Sequence, residues 1–372
     1  MSVRKVPFFN YPYIITQNED EVRARMEDVF KRGAFIMQKD LVEFEENLKK
    51  YLGVKYAFGV ANGTDAIVIA LKAAGIQPGD EVILPSHTFI ASAAAVALNN
   101  AVPVPVECAP DHMLDPEVIE KAITKKTKFI MPVQVNGRTC DMDRIQAIAD
   151  RHGLKIVEDA AQGLGSKWKG KMASTFGIAG TFSFFPAKVL GCWGDGGAIV
   201  TNDDQMAKEI YALRDHGRNQ DGEIVTWGFN SRLDNLHAAV LDVKLKHYPQ
   251  VIARRREIAK MYQKGLGDMP QLVLPPAPDS DPNHFDVYQN YELEADKRDQ
   301  LRSFLSDQGV GTLIQWGGKA IHHFDKLGMN KYSLPKTDRY FTRFLMLPMN
   351  MAINNEDVAF VIESVREFYK KH

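Results

Sequence analysis

The chain has 372 residues, with 46 basic and 47 acidic side chains, a formal net charge of -1 and 45% hydrophobic residues. That length suits roughly two domains at about 150 residues each, with a core large enough to need no disulfide or metal staple. Near-neutrality excludes a general nucleic-acid binder, and the longest apolar stretch, Phe89 to Leu98, is far short of the ~20 residues of a membrane span. The opening segment MSVRKVPFFNYPYI lacks the basic, apolar and small-residue order of a secretory leader. Cys108, Cys140 and Cys192 form no CxxC pair, which predicts a reducing, cytoplasmic setting and no zinc site.

In chain order, Glu21–Arg32 and Asp40–Leu52 read as amphipathic helices closed by Gly33 and Gly53. The apolar segment Tyr56–Ala61 leads directly into a helical pattern, Thr64–Ala74. After the turn Pro78-Gly79-Asp80 come a strand at Glu81–Leu84 and a helix at Phe89–Asn99. Further strands are predicted at Val102–Val106, Lys128–Val133, Lys155–Glu158, Gly180–Phe184 and Ala198–Thr201, with helices at Pro116–Ile123, Asp143–Arg151 and Asp204–Leu213. Strands alternating with helices predict an α/β domain around a mostly parallel sheet. A basic helix, Val251–Gly265, and a Pro-rich stretch, Pro275–Pro282, then open a smaller α+β pattern. The organisation predicted is an arm over residues 1–20, a large domain over 21–248 and a small one over 249–372.

Two apparent signals carry no chemistry. Gly165-Ser-Lys-Trp-Lys-Gly-Lys171 imitates the phosphate loop of nucleotide triphosphatases, but Met172 stands where the magnesium-binding hydroxyl belongs and no helix follows. Arg254-Arg255-Arg256 reads first as one solvated helix face, with a role toward an anionic substrate as the lesser alternative. No GxGxxG opens the first strand–helix unit, so a dinucleotide fingerprint is absent.

In open parallel sheets ligands bind beyond the carboxyl ends of the strands, and three segments should converge there. In Ala61-Asn62-Gly63-Thr64-Asp65, Gly63 admits a ligand to the backbone and Thr64 offers a hydroxyl beside free amides at a helix start, the makings of a phosphate site. An ordinary N-cap is the plain alternative. Glu158-Asp159 ends an apolar strand, where a carboxylate is costly unless paired; Asp159 could hold a protonated nitrogen, or either acid could form a cap or ion pair. Lys188 follows Ser183 by five residues, in an aromatic setting before a glycine-rich turn. Desolvation there would lower its pKa, as imine chemistry requires; a snorkelling surface lysine is the alternative.

The motifs GTDA, PSHTFIAS, VEDAAQ, SFFPAK, GDGGAIVTND, LRDHG and GFNSRLDNLHAAVL occur in the order found in one family. The sequence resembles the DegT/DnrJ-type sugar aminotransferases, of the aspartate-aminotransferase superfamily (fold type I) of pyridoxal-phosphate enzymes, most specifically over residues 20–245. The resemblance implies a large domain with a mostly parallel mixed sheet flanked by helices, and a smaller C-terminal α+β domain. It implies that Lys188 bonds covalently to pyridoxal 5'-phosphate and shuttles a proton, that Asp159 pairs with the pyridinium nitrogen, that Gln162 bonds the ring hydroxyl and that Phe89 stacks on the ring. Gly63, Thr64 and Ser183 would hold the phosphate, with Asn230 reaching that of a neighbouring subunit in a homodimer with shared active sites. The amino donor implied is L-glutamate and the acceptor a keto sugar, giving an amino sugar for a bacterial surface glycan such as lipopolysaccharide. Relatives that dehydrate sugars carry histidine at the position of Lys188, and a non-catalytic regulator would carry a DNA-binding appendage or basic surface.

Members acting on nucleotide-linked sugars often carry a histidine–tyrosine pair and a following proline in the small domain. Here the comparable stretch, residues 311–323, contains Lys319, His322 and His323 instead. These would suit an acceptor with its own carboxylate, such as a keto-octulosonate; a nucleotide-linked keto sugar is the family default. The plain alternative is that the two histidines cap or pack.

Overall fold

The computed structural model describes residues 4–372, so the first three residues of the predicted arm, and of the segment read for a leader, lie outside the described residues. Strands β1 (Tyr56–Val60), β2 (Glu81–Pro85), β3 (Val102–Val106), β4 (Thr127–Ile130) and β5 (Lys155–Asp159) come first. Next are the short β6 (Lys167–Trp168) and β7 (Lys171–Met172), then β8 (Ala179–Ser183) and β9 (Gly197–Thr201). Seven of these form one sheet in the order β1-β9-β8-β5-β4-β2-β3. All its neighbours pair in parallel except β9, which runs antiparallel to both β1 and β8.

Strand alternation sends neighbouring side chains to opposite layers. On β2, Val82 and Leu84 join Val96 and Ile210 in the layer over one face, while Ile83 joins Ile145 and Ile148 on the other. Four of the helices flanking this sheet start where the sequence supplies an acceptor. The side chains of Asn62, Asp115, Asp141 and Asp203 each accept a first-turn backbone N–H. Gly33 and Gly53 close their helices in the left-handed conformation.

A helix at Tyr248–Leu266 leads into the C-terminal unit. There β10 (Leu272–Val273), β12 (Tyr291–Ala295) and β13 (Phe344–Leu347) form a three-stranded antiparallel sheet. Tyr262, Tyr291, Leu293, Leu345 and Phe368 fill its core. Residues 6–8 pack on this unit: Val6 bridges Val310, and the Asn350 amide donates to the carbonyls of Pro7 and Phe8. The remaining strand, β11 (His284–Phe285), adds to β6 and β7. The false phosphate loop is thus the β6–β7 hairpin, with Lys169 and Gly170 both at positive φ in its turn.

The arginine run corrects the sequence reading. Arg255 and Arg256 are buried, not solvated. Arg255 Nη1 donates to the carbonyls of Tyr288 and Gln289, and Arg256 Nη1 to that of Asp286. Three consecutive residues on a helix fan out over ~200° and cannot share one face. The segment at 286–289 also needs donors for buried carbonyls that no ladder supplies.

Candidate active site

The carboxyl ends of β1, β2, β5 and β8 open into a cavity of about 640 Å³, lined by Gly63, Thr64, Phe89, Asp159, Gln162, Ser183, Lys188 and, from the C-terminal unit, Trp316. At the end of β1, the Asn62 side chain caps the amide of Asp65 at 2.8 Å and its carbonyl accepts from Ala66. The amides of Gly63 and Thr64 precede any intrahelical partner and are free for an anion. Gly63 is required sterically: a Cβ there would lie 2.7 Å from Ser183 Cβ. Ser183 is therefore pressed against the helix start, its hydroxyl 3.3 Å from the amide of Phe185, which donates to it.

The two acids ending β5 separate by alternation. Glu158 is fully buried and accepts from Gln134 Nε2 and the amides of Ser174, Phe176 and Gly177, pinning that loop. Burial raises its pKa. Asp159, 5% exposed, lines the cavity. The Ser92 hydroxyl donates to its Oδ2 at 2.6 Å and the amide of Ala161 to its Oδ1 at 3.1 Å. Thr88 Oγ1 lies 2.7 Å from Ser92 Oγ, extending the chain back towards the end of β2.

Lys188 sits in the turn after β8. Desolvation lowers its ammonium pKa to about 8, with the Asp159 charge pulling the other way. Among the described residues its Nζ has no hydrogen-bond partner. Gln289 straddles it: its Oε1 accepts from the amide of Val189 at 2.8 Å, and its Nε2 donates to the carbonyl of Ala187 at 2.9 Å. Phe89 stands at the cavity as the residue before the Ile90–Leu98 helix and is half exposed. Gln162 Oε1 accepts from the amide of Asn136 at 2.7 Å, which makes its nitrogen the donating end; one N–H of it reaches Gln315 Oε1 at 3.4 Å, leaving the second for the cavity.

Four sequence-predicted residues do not join this cavity. Asn230 is exposed on the strand-like bridge to Asp215. Lys319 is exposed as well. His322 and His323 brace a turn: His322 Nδ1 lies 2.7 Å from Ser86 Oγ, and both Nε2 atoms meet Asp338 Oδ1, at 2.8 and 2.6 Å. Burial lowers the His322 pKa despite Asp338. These three side chains could surround an ion, but His323 Nδ1 accepts the amide of Ala320, so the neutral ring carries its proton on Nε2 and offers Asp338 a donor. The sequence reading passed over Ser92, Gln289 and Trp316. Ser92 lay inside the quoted PSHTFIAS motif, one helical turn past Thr88, where a hydroxyl on an apolar helix was the signal available.

Residues 16–366 match the DegT/DnrJ/EryC1/StrS aminotransferase family. The chain belongs to this family. It is 39% identical to a dTDP-3-amino-3,4,6-trideoxy-alpha-D-glucose transaminase of Streptomyces venezuelae, over 99% of this chain and 97% of that one. It is also 38% identical to a pleiotropic regulatory protein of Geobacillus stearothermophilus, over 98% and 99% of the two chains. The solved NtdA structure of Bacillus subtilis, with the cofactor PMP bound, superposes with a TM-score of 0.91 at 30% identity, over 100% of this chain and 86% of that one.

The protein is accordingly a pyridoxal-phosphate-dependent aminotransferase of mixed α/β fold. Its residues fit that cofactor. The cavity offers a buried carboxylate, an amine of depressed pKa and, at the opposite end, free helix amides with two hydroxyls, and a side chain at Gly63 would close that end.

Proposed function

We propose that the enzyme moves an amino group from L-glutamate to a keto sugar in the cytoplasm, producing an amino sugar for a surface glycan such as lipopolysaccharide. The observation that carries the reading is one cavity lined by Lys188, Asp159, Gly63, Thr64 and Ser183. The amides of Gly63 and Thr64 and the hydroxyls of Thr64 and Ser183 would hold the phosphate. Asp159, held by Ser92 and Ala161, would accept the proton-bearing ring nitrogen. Gln162 would donate to the ring hydroxyl and Phe89 would cover the ring face. Bound there, the cofactor supplies an electron sink for the carbon that gains or loses nitrogen. Lys188 would attach it and, once released, carry a proton at Nζ to and from the reacting carbon. Retention of lysine at 188 favours transamination over dehydration.

The acceptor is inferred to be a nucleotide-linked keto sugar, in line with the dTDP-sugar named for the Streptomyces relative. A carboxylate-bearing acceptor read by Lys319, His322 and His323 finds less support, since none of the three lines the cavity. A homodimer with shared sites is part of the proposal. Asn230 is exposed and does not line its own cavity, and Ile224, Val225 and Trp227 near it in sequence are exposed by 63%, 59% and 93%, an apolar stretch suited to a second copy. The predicted division into arm, large domain to 248 and small domain from 249 is likewise proposed, with the helix from Tyr248 as the joint.

The test is the absorption spectrum of the purified protein before and after L-glutamate. A yellow band that bleaches supports donor and half-reaction together, and offering nucleotide-linked keto sugars or keto sugar acids to the aminated enzyme then selects the acceptor. A band indifferent to glutamate would overturn the donor assignment.

A further inference from the structure

Behind Gln162 lies a connected set of buried and partly buried polar groups to which the site above gives no role. Glu292, on β12 of the C-terminal unit, is 1% exposed. Its Oε1 accepts from Asn136 Nδ2 at 2.9 Å and its Oε2 from Gln315 Nε2 at 2.8 Å. His87 Nε2 stands 3.2 Å from Oε1 on the other side. Gln315 Nε2 also donates to Asn136 Oδ1 at 2.7 Å, and Asn290 Nδ2 donates to the same oxygen at 3.0 Å. Both links from this set to the cavity end on one residue. The amide of Asn136 donates to Gln162 Oε1, and Gln315 Oε1 accepts from Gln162 Nε2 at 3.4 Å.

A carboxylate accepts and never donates, whereas an amide can be turned end for end. Burial works against charge on Glu292, yet His87, His112 and the Gln315 amide hold its carboxyl below the ordinary range. It is therefore an ionised acceptor at neutral pH. Both amides must then present nitrogen to it. With its nitrogen committed, Gln315 can offer Gln162 only oxygen. Asn136 is in the left-handed conformation at φ +57, with its side chain on the same carboxylate and its own N–H donating to Gln162. A neutral amide at 292 could satisfy only one of the two, and the other would turn or lose its bond.

We propose that Glu292 is a positioning residue: acting through Gln315 and Asn136, it orders the Gln162 amide so that the nitrogen is presented to the cofactor's ring oxygen. The inference rests on the reading of Gln162 as the ring-hydroxyl ligand. A donor to that oxygen weakens its hold on the proton of the lysine–cofactor C=N bond, so losing the donor raises the pH at which this proton leaves.

The experiment is a pH titration of the visible absorption band of the holoenzyme, alongside cofactor Kd and Tm, for Glu292→Gln, Gln162→Ala and the double variant. Each single change is expected to move the titration midpoint up by about one unit, and the pair no further than either alone, because the two act in series. Glu292→Gln lowering Tm while leaving the midpoint in place, with Gln162→Ala moving it, overturns the proposal and leaves a structural strut. An unmoved midpoint in Gln162→Ala overturns the reading of Gln162 itself. If Glu292→Gln does not fold, Gln315→Met replaces it: the same upward shift is expected, and an unchanged midpoint overturns the proposal.

Discussion

Gln289 reaches from the C-terminal unit and holds the backbone on both sides of Lys188, accepting from Val189 and donating to Ala187. The turn that presents the amine is thus set by a residue one hundred positions away. Gln289→Ala should leave two partly buried backbone groups without their partner, at up to about 1 kcal/mol each. The expected outcome is a lower Tm together with slower attachment of the cofactor, measured by the growth of the visible band. Gln289→Glu keeps the acceptor for Val189 and should fall between the two.

Lys188→Ala should still take up pyridoxal phosphate, through the phosphate and ring contacts, but turn over nothing. Equilibrium dialysis with a multiple-turnover assay checks both halves. Sustained turnover would refute the assignment of Lys188.

The Lys188 amine, with its pKa brought down to about 8 by burial, is nucleophilic only when neutral. Its neutral fraction rises as pH climbs through that value. The rate at which the cofactor-free protein forms the yellow band should accordingly increase between pH 7 and 9 and level off above, where an ordinary lysine near pH 10.5 would still be rising. Stopped-flow absorbance across this range reads it directly.

Ser92→Ala removes the hydroxyl that donates to Asp159. A buried hydrogen bond to a charged group contributes about 1.5–3 kcal/mol, so kcat should drop on the order of tenfold to a hundredfold. The cofactor's phosphate contacts are untouched, and its Kd should move much less than kcat.

Asn230→Ala should weaken cofactor retention in the partner's site. Mixed with Lys188→Ala chains, it should yield hybrid dimers in which one composite site is intact. Recovery of activity on mixing is expected, and its absence would sink the shared-site reading.

How far these residues could be seen in the sequence depended on how local their chemistry is. Gly63 and Thr64 come just after β1, Asp159 ends β5 and Lys188 lies five residues past β8, and the place where parallel strands end is readable from alternation alone. Asp159 stood out over Glu158, but what Glu158 does was hidden, because its partners are Gln134 and the amides of the 174–177 loop. The reversal of β9 was equally hidden: its residues, GAIVT, suit a buried strand of either direction. Gln289, Gln315 and Glu292 lie far along the chain from their partners, and nothing nearby marks them. Arg255 and Arg256 were misread since charge runs are usually solvated, and only the irregular path of 286–289 shows why they are buried. His322 and His323 showed up as an unusual pair, but Ser86, which His322 meets, lies 236 positions away along the chain.

The segment Gln289–Glu292 serves two masters, the turn at Lys188 and the amide at Gln162. Exchanging the part beyond Tyr248 with that of a relative would therefore also retune the cofactor. Chimaeras joined near Tyr248 should work only when donor and recipient agree at 136, 162, 289, 292 and 315, so acceptor specificity in this scaffold is better re-engineered at Trp316 and its neighbours than by trading the whole C-terminal unit.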